Sequence, residues 1–572
     1  LSVSDDLQLI NRKLRTNSMH LGDLTLIAPA IYLTLAAIVV LLVGVVAARK
    51  PDVGLDHYLP SQYLAPVMMV PAIILAGWVV WQSCYLSNKT VEAAIDGISV
   101  RVPAINVFVT AGGHAQLTVD AFAAILSLVA LAGTLIVMLM SLEHFGERQP
   151  HKAEYYSLLM FATAAVSLAV SASDLIAIYL SLEFLSLISY VLAAFAKADR
   201  RSAEAGLKYF LYGAACSAMM LYGMSILFGI TGGSTSLTAV ASGFSSKAAT
   251  SGAGWAAMIF VLVGLGFKIA LVPFQFWAPD TYEGAPTPIT AFLSVVSKVA
   301  GIAVLIRFLL VVGLPGVEIG ISWYWVLVAL TALSMFFGNL VAIWQRNIKR
   351  MLAYSSIAQV GYMMIGVLTA VRSAGGALSP ILMGNNGSVA SPIWSVGSDV
   401  ISRGWDIPAV LAYVIAYLFM NLGAFAVVVR LGTHLKSDAI EGYAGVWKIS
   451  PYYAASLAVF LISLAGIPPT AGFLGKLLVF GGAIQASTHA PELAVLAVLG
   501  VVNSVISAFY YLNVVRLMFF CEPTAEPIKG DGRAVATVVA VCLVATVGIL
   551  LVAKPLVGGL SSAIYGTVPF VR

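Results

Sequence analysis

Between Leu24 and Ala553 the chain alternates long apolar runs with short polar breaks. The runs fall at 24–47, 64–84, 118–141, 154–172, 174–195, 204–230, 254–274, 286–311, 322–344, 348–371, 408–431, 452–486, 491–519 and 535–556. As helices rising 1.5 Å per residue, runs of about 20 residues cross roughly 30 Å of hydrocarbon. Lipid offers no partner to a backbone N–H or C=O, so each crossing must close its own hydrogen bonds as a helix. The pattern predicts an all-α integral membrane protein of about fourteen spans. No polar stretch is long enough for a soluble domain. Residues 1–18 are polar, precede Met19 and are expected to be poorly ordered. The first run is too long for the apolar core of a signal peptide.

Two runs do not read as plain helices. The seventh carries Pro273 near its end, and the twelfth contains Gly466-Ile467-Pro468-Pro469 at mid-depth. Proline removes a backbone donor and clashes with the preceding turn, so a break is predicted in each. Interrupted spans at matching places in two halves point to a transport site. Spans four to eight and nine to thirteen make such halves. The expected division is 1–23 polar extension, 24–141 first three spans, 154–311 and 322–519 the halves, and 535–572 the last span and C-terminus.

Composition agrees, with 60% hydrophobic and 10% charged residues and a mean hydropathy of +0.95. The net charge of +5 points to no nucleic-acid partner. Basic residues concentrate in alternate loops, among them Lys197, Arg200, Arg201, Arg346, Lys349 and Arg350. That bias predicts both termini on the outer side. One loop of the basic set, 277–285, carries only Asp280 and Glu283.

The charges left inside the runs narrow the chemistry. Lys208, Lys268, Lys298, Arg307 and Lys476 stand within spans, and Glu183 sits near the middle of one. Each ionisable group at mid-bilayer costs roughly 2.5–3.5 kcal/mol, so Glu183, Lys268, Lys298 and Lys476 together cost about 10–14 kcal/mol. That rivals a whole folding stability. Such residues must face the interior, pair or touch water. Burial favours the neutral amine and a nearby carboxylate the ammonium, so lysines with one glutamate make a plausible proton relay; arginine, always charged, does not. Simpler readings stand beside this one. Glu183 has Tyr179 and Ser186 within a turn. Lys208 pairs with Glu204 at i+4 or snorkels. Carbonyls freed by the break hold Lys476, and Arg307 snorkels to the outer surface. Tyr354, Ser355, Gln359 and Asn421 are candidates for linking the charged sites.

All seven histidines lie outside the runs, which leaves no ligands for a haem of the cytochrome b kind. The four cysteines form no CxxC pair, and no Walker motif is present. No catalytic, metal-binding or cofactor-binding residue is therefore expected in this chain.

The stretches LKYFLYGAACSAMMLYG (207–223), GFKIALVPFQFWAPDTYEGAPTPITAFLSVVSKVA (266–300), NIKRMLAYSSIAQVGYMMIG (347–366) and SLAGIPPTAGFLGK (463–476) resemble the subunit N family of bacterial NADH–quinone oxidoreductase, complex I. The likeness runs from about Thr118 to Leu517; the first two spans and residues 372–407, a longer outer loop than usual, match poorly. It implies fourteen helices in two inverted five-helix repeats, with discontinuous seventh and twelfth helices. It implies proton translocation by Glu183, Lys208, Lys268, Lys298 and Lys476, driven by quinone reduction elsewhere. It further implies sister antiporter-like subunits as partners, flavin and iron–sulfur clusters in other subunits, and a place in the bacterial inner membrane. A subunit of a Na⁺ or K⁺/proton antiporter is the alternative, since its fold and lysines would look alike.

Overall fold

The computed structural model describes residues 27–49, 61–88, 91–95, 98–100, 105–109, 115–145, 151–244, 252–312, 317–382, 406–488, 490–523 and 532–565. The expected extension 1–23 and most of the loop 372–407 lie outside them. Helices α1 (Ala28–Arg49) and α2 (Ser61–Asn88) lead into two antiparallel hairpins, β1–β2 (Val91–Ile95, Ile98–Val100) and β3–β4 (Ile105–Val109, Ala115–Val119). Then come α3 (Ala121–Phe145), α4 (Lys152–Ser171), α5 (Leu175–Ala193), α6 (Arg200–Ile230) and the short α7 (Leu237–Phe244). The seventh predicted span, 254–274, is α8 (Gly252–Ile269) and a non-helical stretch; the loop 277–285 holds the short α9 (Trp277–Gly284); the eighth span is α10 (Thr287–Ser294) and α11 (Val296–Val312). Beyond them lie α12 (Val317–Ile343), α13 (Ile348–Leu382) and α14 (Asp406–Leu435). A 3₁₀ turn (Ile440–Tyr443) and α15 (Val446–Ile449) precede the twelfth span, α16 (Pro451–Ala465) and α17 (Ala471–Ala486). The chain closes with α18 (Pro491–Phe520), α19 (Arg533–Leu551) and α20 (Ala553–Tyr565).

Among the described residues twelve helices are long and apolar enough to cross a membrane, with shorter apolar helices at Ala28–Gly44, Pro451–Ala465 and Ala471–Ala486. The all-α membrane class holds, with one correction. The interval between the second and third runs is not featureless: Ala115–Val119, partly assigned to span three, is a strand whose Gln116 carbonyl accepts from Ser173 N across the α4–α5 turn. Its residues AQLTV alternate polar and apolar, a period-2 signal that a search for long apolar runs passes over.

Thr287–Val312, Ile348–Ser373 and Ile407–Leu435 are the most enclosed crossings. They form the centre. The α5, α6 and α18 surfaces carry apolar side chains outward, among them Leu180, Leu187, Leu211, Val505 and Phe509, as helices facing lipid must.

Both predicted breaks occur. α8 ends at Ile269 because Ala270 turns to φ 59°, and a cis Val272–Pro273 bond follows. The polar groups released there find partners: Trp277 Nε1 donates to the Phe267 carbonyl (2.9 Å), and Val272 N to Ser334 Oγ (3.0 Å). α16 ends at Gly466, whose φ of 88° suits glycine, before the cis Pro468–Pro469 bond. A third interruption was not anticipated. Span eight is broken at Val295 (φ −122°, ψ −67°), where no proline marks the sequence.

Candidate functional site

The break in each half leaves a lysine beside it. Lys268 lies in the last turn of α8, Lys298 in the first turn of α11 and Lys476 in the second turn of α17. Their side chains are only 3%, 2% and 4% exposed. None of the three takes part in the ion pairs found among the described residues. Neutral oxygens hold them instead. Lys268 Nζ donates to Ser186 Oγ (3.0 Å), and Lys298 Nζ to Ser356 Oγ (2.9 Å) and the Ser356 carbonyl (3.2 Å). Lys476 Nζ donates to the carbonyls of Leu464 (3.1 Å) and Ala465 (2.8 Å), released by the end of α16.

Glu183, half-buried on α5, sits one turn before Ser186 and accepts from Ser217 Oγ of α6. It is thus close to Lys268 without touching it. On the far side of Lys268, Gly301 lets the lysine stem lie against α11: a Cβ there would stand 3.2 Å from Lys268 Cγ and 2.6 Å from Ile269 Cγ2. Gly301 is one turn beyond Lys298, so the two lysines share a stretch of helix.

From Lys298 the polar contacts continue. Ser356 and Gln359 are one turn apart on α13. Gln359 Nε2 donates to the Leu464 carbonyl (3.0 Å), which Lys476 also uses, and Gln359 Oε1 accepts from Tyr413 OH. Asn421 Nδ2 donates to Ser294 Oγ (2.7 Å) at the α10–α11 break, and Ser355 bonds to Tyr511 OH. Tyr354, the fourth supporting candidate, is half-buried with its ring tilted against Phe337. Around this line lie the buried hydroxyls of Tyr190, Tyr209, Tyr282, Tyr417 and Ser297. Buried hydroxyls of this kind are where internal water finds partners.

Sequence reasoning missed Tyr282, Tyr362, Tyr413, Tyr417 and Tyr511, all in or beside the line. The sequence does not say which of the many tyrosines face the interior; only their neighbours show it, as the bonds of Tyr362, Tyr413 and Tyr511 do.

Lys208 stands apart from the buried row. Its side chain is 41% exposed and pairs with Glu204 (2.7 Å) and Asp280 (2.8 Å). Arg350 bridges Asp280 (2.7 Å) and Glu283 (2.9 Å). The two acids that break the basic loop pattern therefore anchor α9 to α6 and α13. Burial works to raise the Asp280 carboxyl, but Lys208 and Arg350 outweigh it and hold the group below its usual range. At the same end of the bundle a cavity of about 730 Å³ is lined by His144, Glu283, Thr287, Lys349, Lys436 and Asp438. A Lys349–Asp438 pair (2.9 Å) stands in it. Among the described residues no three His, Cys, Asp or Glu side chains gather in a metal-binding group.

Arg307 corrects an expectation. It does not snorkel: it is 4% exposed, and its Nη2 donates to Asp120 Oδ1 (3.0 Å) and the Val170 carbonyl (3.1 Å). Asp120 also accepts from Ala123 N (2.8 Å), capping α3.

Broken helices with lysines at the breaks, inside an otherwise apolar bundle, define an antiporter-like membrane subunit. Residues 172–383 and 398–507 match the family model for the NADH:quinone oxidoreductase/Mrp antiporter transmembrane region. The chain is 35% identical over 517 residues to NADH-quinone oxidoreductase subunit N of Granulibacter bethesdensis, spanning 90% of this chain and 93% of that one. A chain of respiratory complex I from Thermus thermophilus with bound aureothin is 28% identical, with a TM-score of 0.66 and coverage of 93% of this chain and 99% of that one. A chain of the Mrp complex from Dietzia sp. DQ12-45-1b shares the fold at a TM-score of 0.71 and 19% identity, over 94% of this chain and 97% of that one. This chain belongs to the NADH-quinone oxidoreductase subunit N family.

Proposed function

We propose that this chain is the proton-conducting subunit N of a complex I, and that Lys268, Lys298 and Lys476 are its conducting groups. The observation that carries the reading is that these three lysines, each beside a helix break, are buried outside the ion pairs found among the described residues and held by hydroxyl or carbonyl oxygens, with Gln359 sharing the Leu464 carbonyl with Lys476. An amine held by neutral oxygens loses or regains a proton without breaking an ion pair; carbonyls carry no proton themselves, so transfer between sites runs through water held beside the buried hydroxyls. Glu183, a turn from Ser186, tunes Lys268 through space; a change in its protonation or position favours one state of the lysine. Lys208, tied to Glu204 and Asp280 at the surface of the chain, supplies charge near the Glu183 end of the line rather than a buried step.

Quinone reduction in other subunits drives the cycle, and the flavin and iron–sulfur clusters reside there. Its partners are the other membrane subunits of that complex, sister antiporter-like subunits included, and the bilayer of the bacterial plasma membrane, with both termini outside. Counting Ala28–Gly44 and the α16–α17 pair as one crossing each, with α8 and the α10–α11 pair likewise single, gives fourteen, arranged as repeats over 154–311 and 322–519. The Mrp fold likeness does not favour cation exchange, because the sequence relationship lies with subunit N.

The test is Lys268→Ala in the assembled complex, reconstituted in vesicles, with quinone reductase activity and proton uptake followed together. Proton uptake per electron is expected to fall by more than half. Unchanged electron transfer with unchanged pumping would remove Lys268 from the mechanism.

A further inference from the structure

Lys268 has Glu183 nearby, but among the described residues no acid pairs with Lys476. At its depth the titratable groups on helices packed against α17 are Tyr362 of α13, Tyr413 and Tyr417 of α14, Tyr510 and Tyr511 of α18, and Cys542 of α19. The charged residues of those helices stand toward their ends, such as Arg430 and the Arg372–Glu492 pair. Two carbonyls cover one side of the Lys476 ammonium. On another side lies an aromatic face, with Nζ 4.4 Å from the centroid of the Tyr362 ring. The approach is close because Gly466 lacks a side chain: a Cβ there would stand 2.8 Å from Lys476 Cδ.

The ring is fixed by a buried amide cluster. Asn339 Nδ2 donates to Tyr362 OH (2.9 Å), and Asn339 Oδ1 accepts from Tyr510 OH (3.0 Å). Asn339 also reaches the Asn503 carbonyl and Oδ1, both at 3.2 Å. Three helices, α12, α13 and α18, thus converge on the orientation of one tyrosine. An aromatic quadrupole attracts a cation over its face, most strongly where water is excluded. The carbonyls at the C-terminal end of α16 add the negative end of a helix dipole.

We propose that Tyr362 is a positioning residue for proton conduction, its π face stabilising the ammonium form of Lys476, which no carboxylate pairs with among the described residues. This rests on the conduction reading above. The ring acts through its face, and the hydroxyl serves to orient it.

The experiment uses the assembled complex in vesicles, with pumping measured against pH and electron transfer recorded in parallel. Tyr362→Phe keeps the face and is expected to keep the alkaline limb of the pumping profile where it is. Tyr362→Leu removes the face, and that limb is expected to move down by about one pH unit. Fluorinated phenylalanines at position 362 withdraw ring electron density with little change of size, so assembly is retained and the limb is expected to step downward with each fluorine. A flat fluorine series, or a Tyr362→Phe shift as large as that of Tyr362→Leu, overturns the proposal. Lys476→Ala separates the two levels. If that variant pumps normally, the conduction reading itself falls at this site. If it stops pumping while the fluorine series stays flat, only the role of the ring is lost.

Discussion

Arg307 and Asp120 meet across 187 positions of sequence, deep between α11 and the start of α3. Removing one member of a buried pair leaves the other charged, desolvated and alone, a loss of about 3–5 kcal/mol. Arg307→Met is therefore expected to lower the thermal stability of the detergent-purified protein by about that amount. Asp120→Asn added to it is expected to recover much of the loss, because asparagine still caps α3 and leaves no lone charge. Equal stability of the single and double variants would show that Asp120 is not what Arg307 compensates. The sequence placed this arginine near a span end and so suggested snorkelling. Nothing local could reveal Asp120. The reverse held for Lys268, Lys298 and Lys476: a lone basic residue well inside an apolar run is conspicuous whatever its partners are. Glu183 was conspicuous for the same reason.

Elements follow a similar division. The α8 and α16 breaks were legible because proline and glycine announce them, although α8 ends at Ile269, four residues before Pro273. The α10–α11 break was not, since Val295 carries no such mark and its deviation depends on packing. The short α9 shows how a loop that violates the charge bias becomes an anchor. Its Asp280 carboxyl is held low by Lys208 and Arg350 against the effect of burial. A group with a lowered folded-state pKa contributes stability above its unfolded value, near 4, and loses it as pH falls through the depressed folded value. Amide protection in Trp277–Gly284, taken relative to the intrinsic exchange rate at each pH, is accordingly expected to be high at neutral pH and to fall below about pH 4. Asp280→Asn is expected to show lower protection at neutral pH and no such step. A step that persists in Asp280→Asn would place its origin in Glu283 or elsewhere.

At the scale of the whole molecule, the question is how the two broken spans communicate. α8 and α16–α17 belong to different halves, and the central α10–α11 span and α13 lie between them. Lys298 reaches α13 at Ser356; one turn further, Gln359 takes hold of the Leu464 carbonyl that Lys476 shares. Gln359 thus stands one turn from Ser356, the α13 contact of the central lysine, and itself bonds to the carbonyl cradle of the terminal one. An amide passes a proton on poorly by itself, but it orders Tyr413 and the oxygens through which a water chain would run. Gln359→Leu keeps the volume roughly constant and removes both hydrogen bonds, leaving the Tyr413 hydroxyl and one bond of the Leu464 carbonyl unpaired at a cost of about 1–3 kcal/mol. The complex is expected to assemble and still reduce quinone, while proton uptake per electron falls by at least half. Tyr413→Phe, which removes only the outer member of the pair, is expected to have the smaller effect. If Gln359→Leu pumps at the original ratio, the halves exchange protons by a route that avoids α13. The contacts between Lys298 and Lys476 would then serve to hold the helices in place.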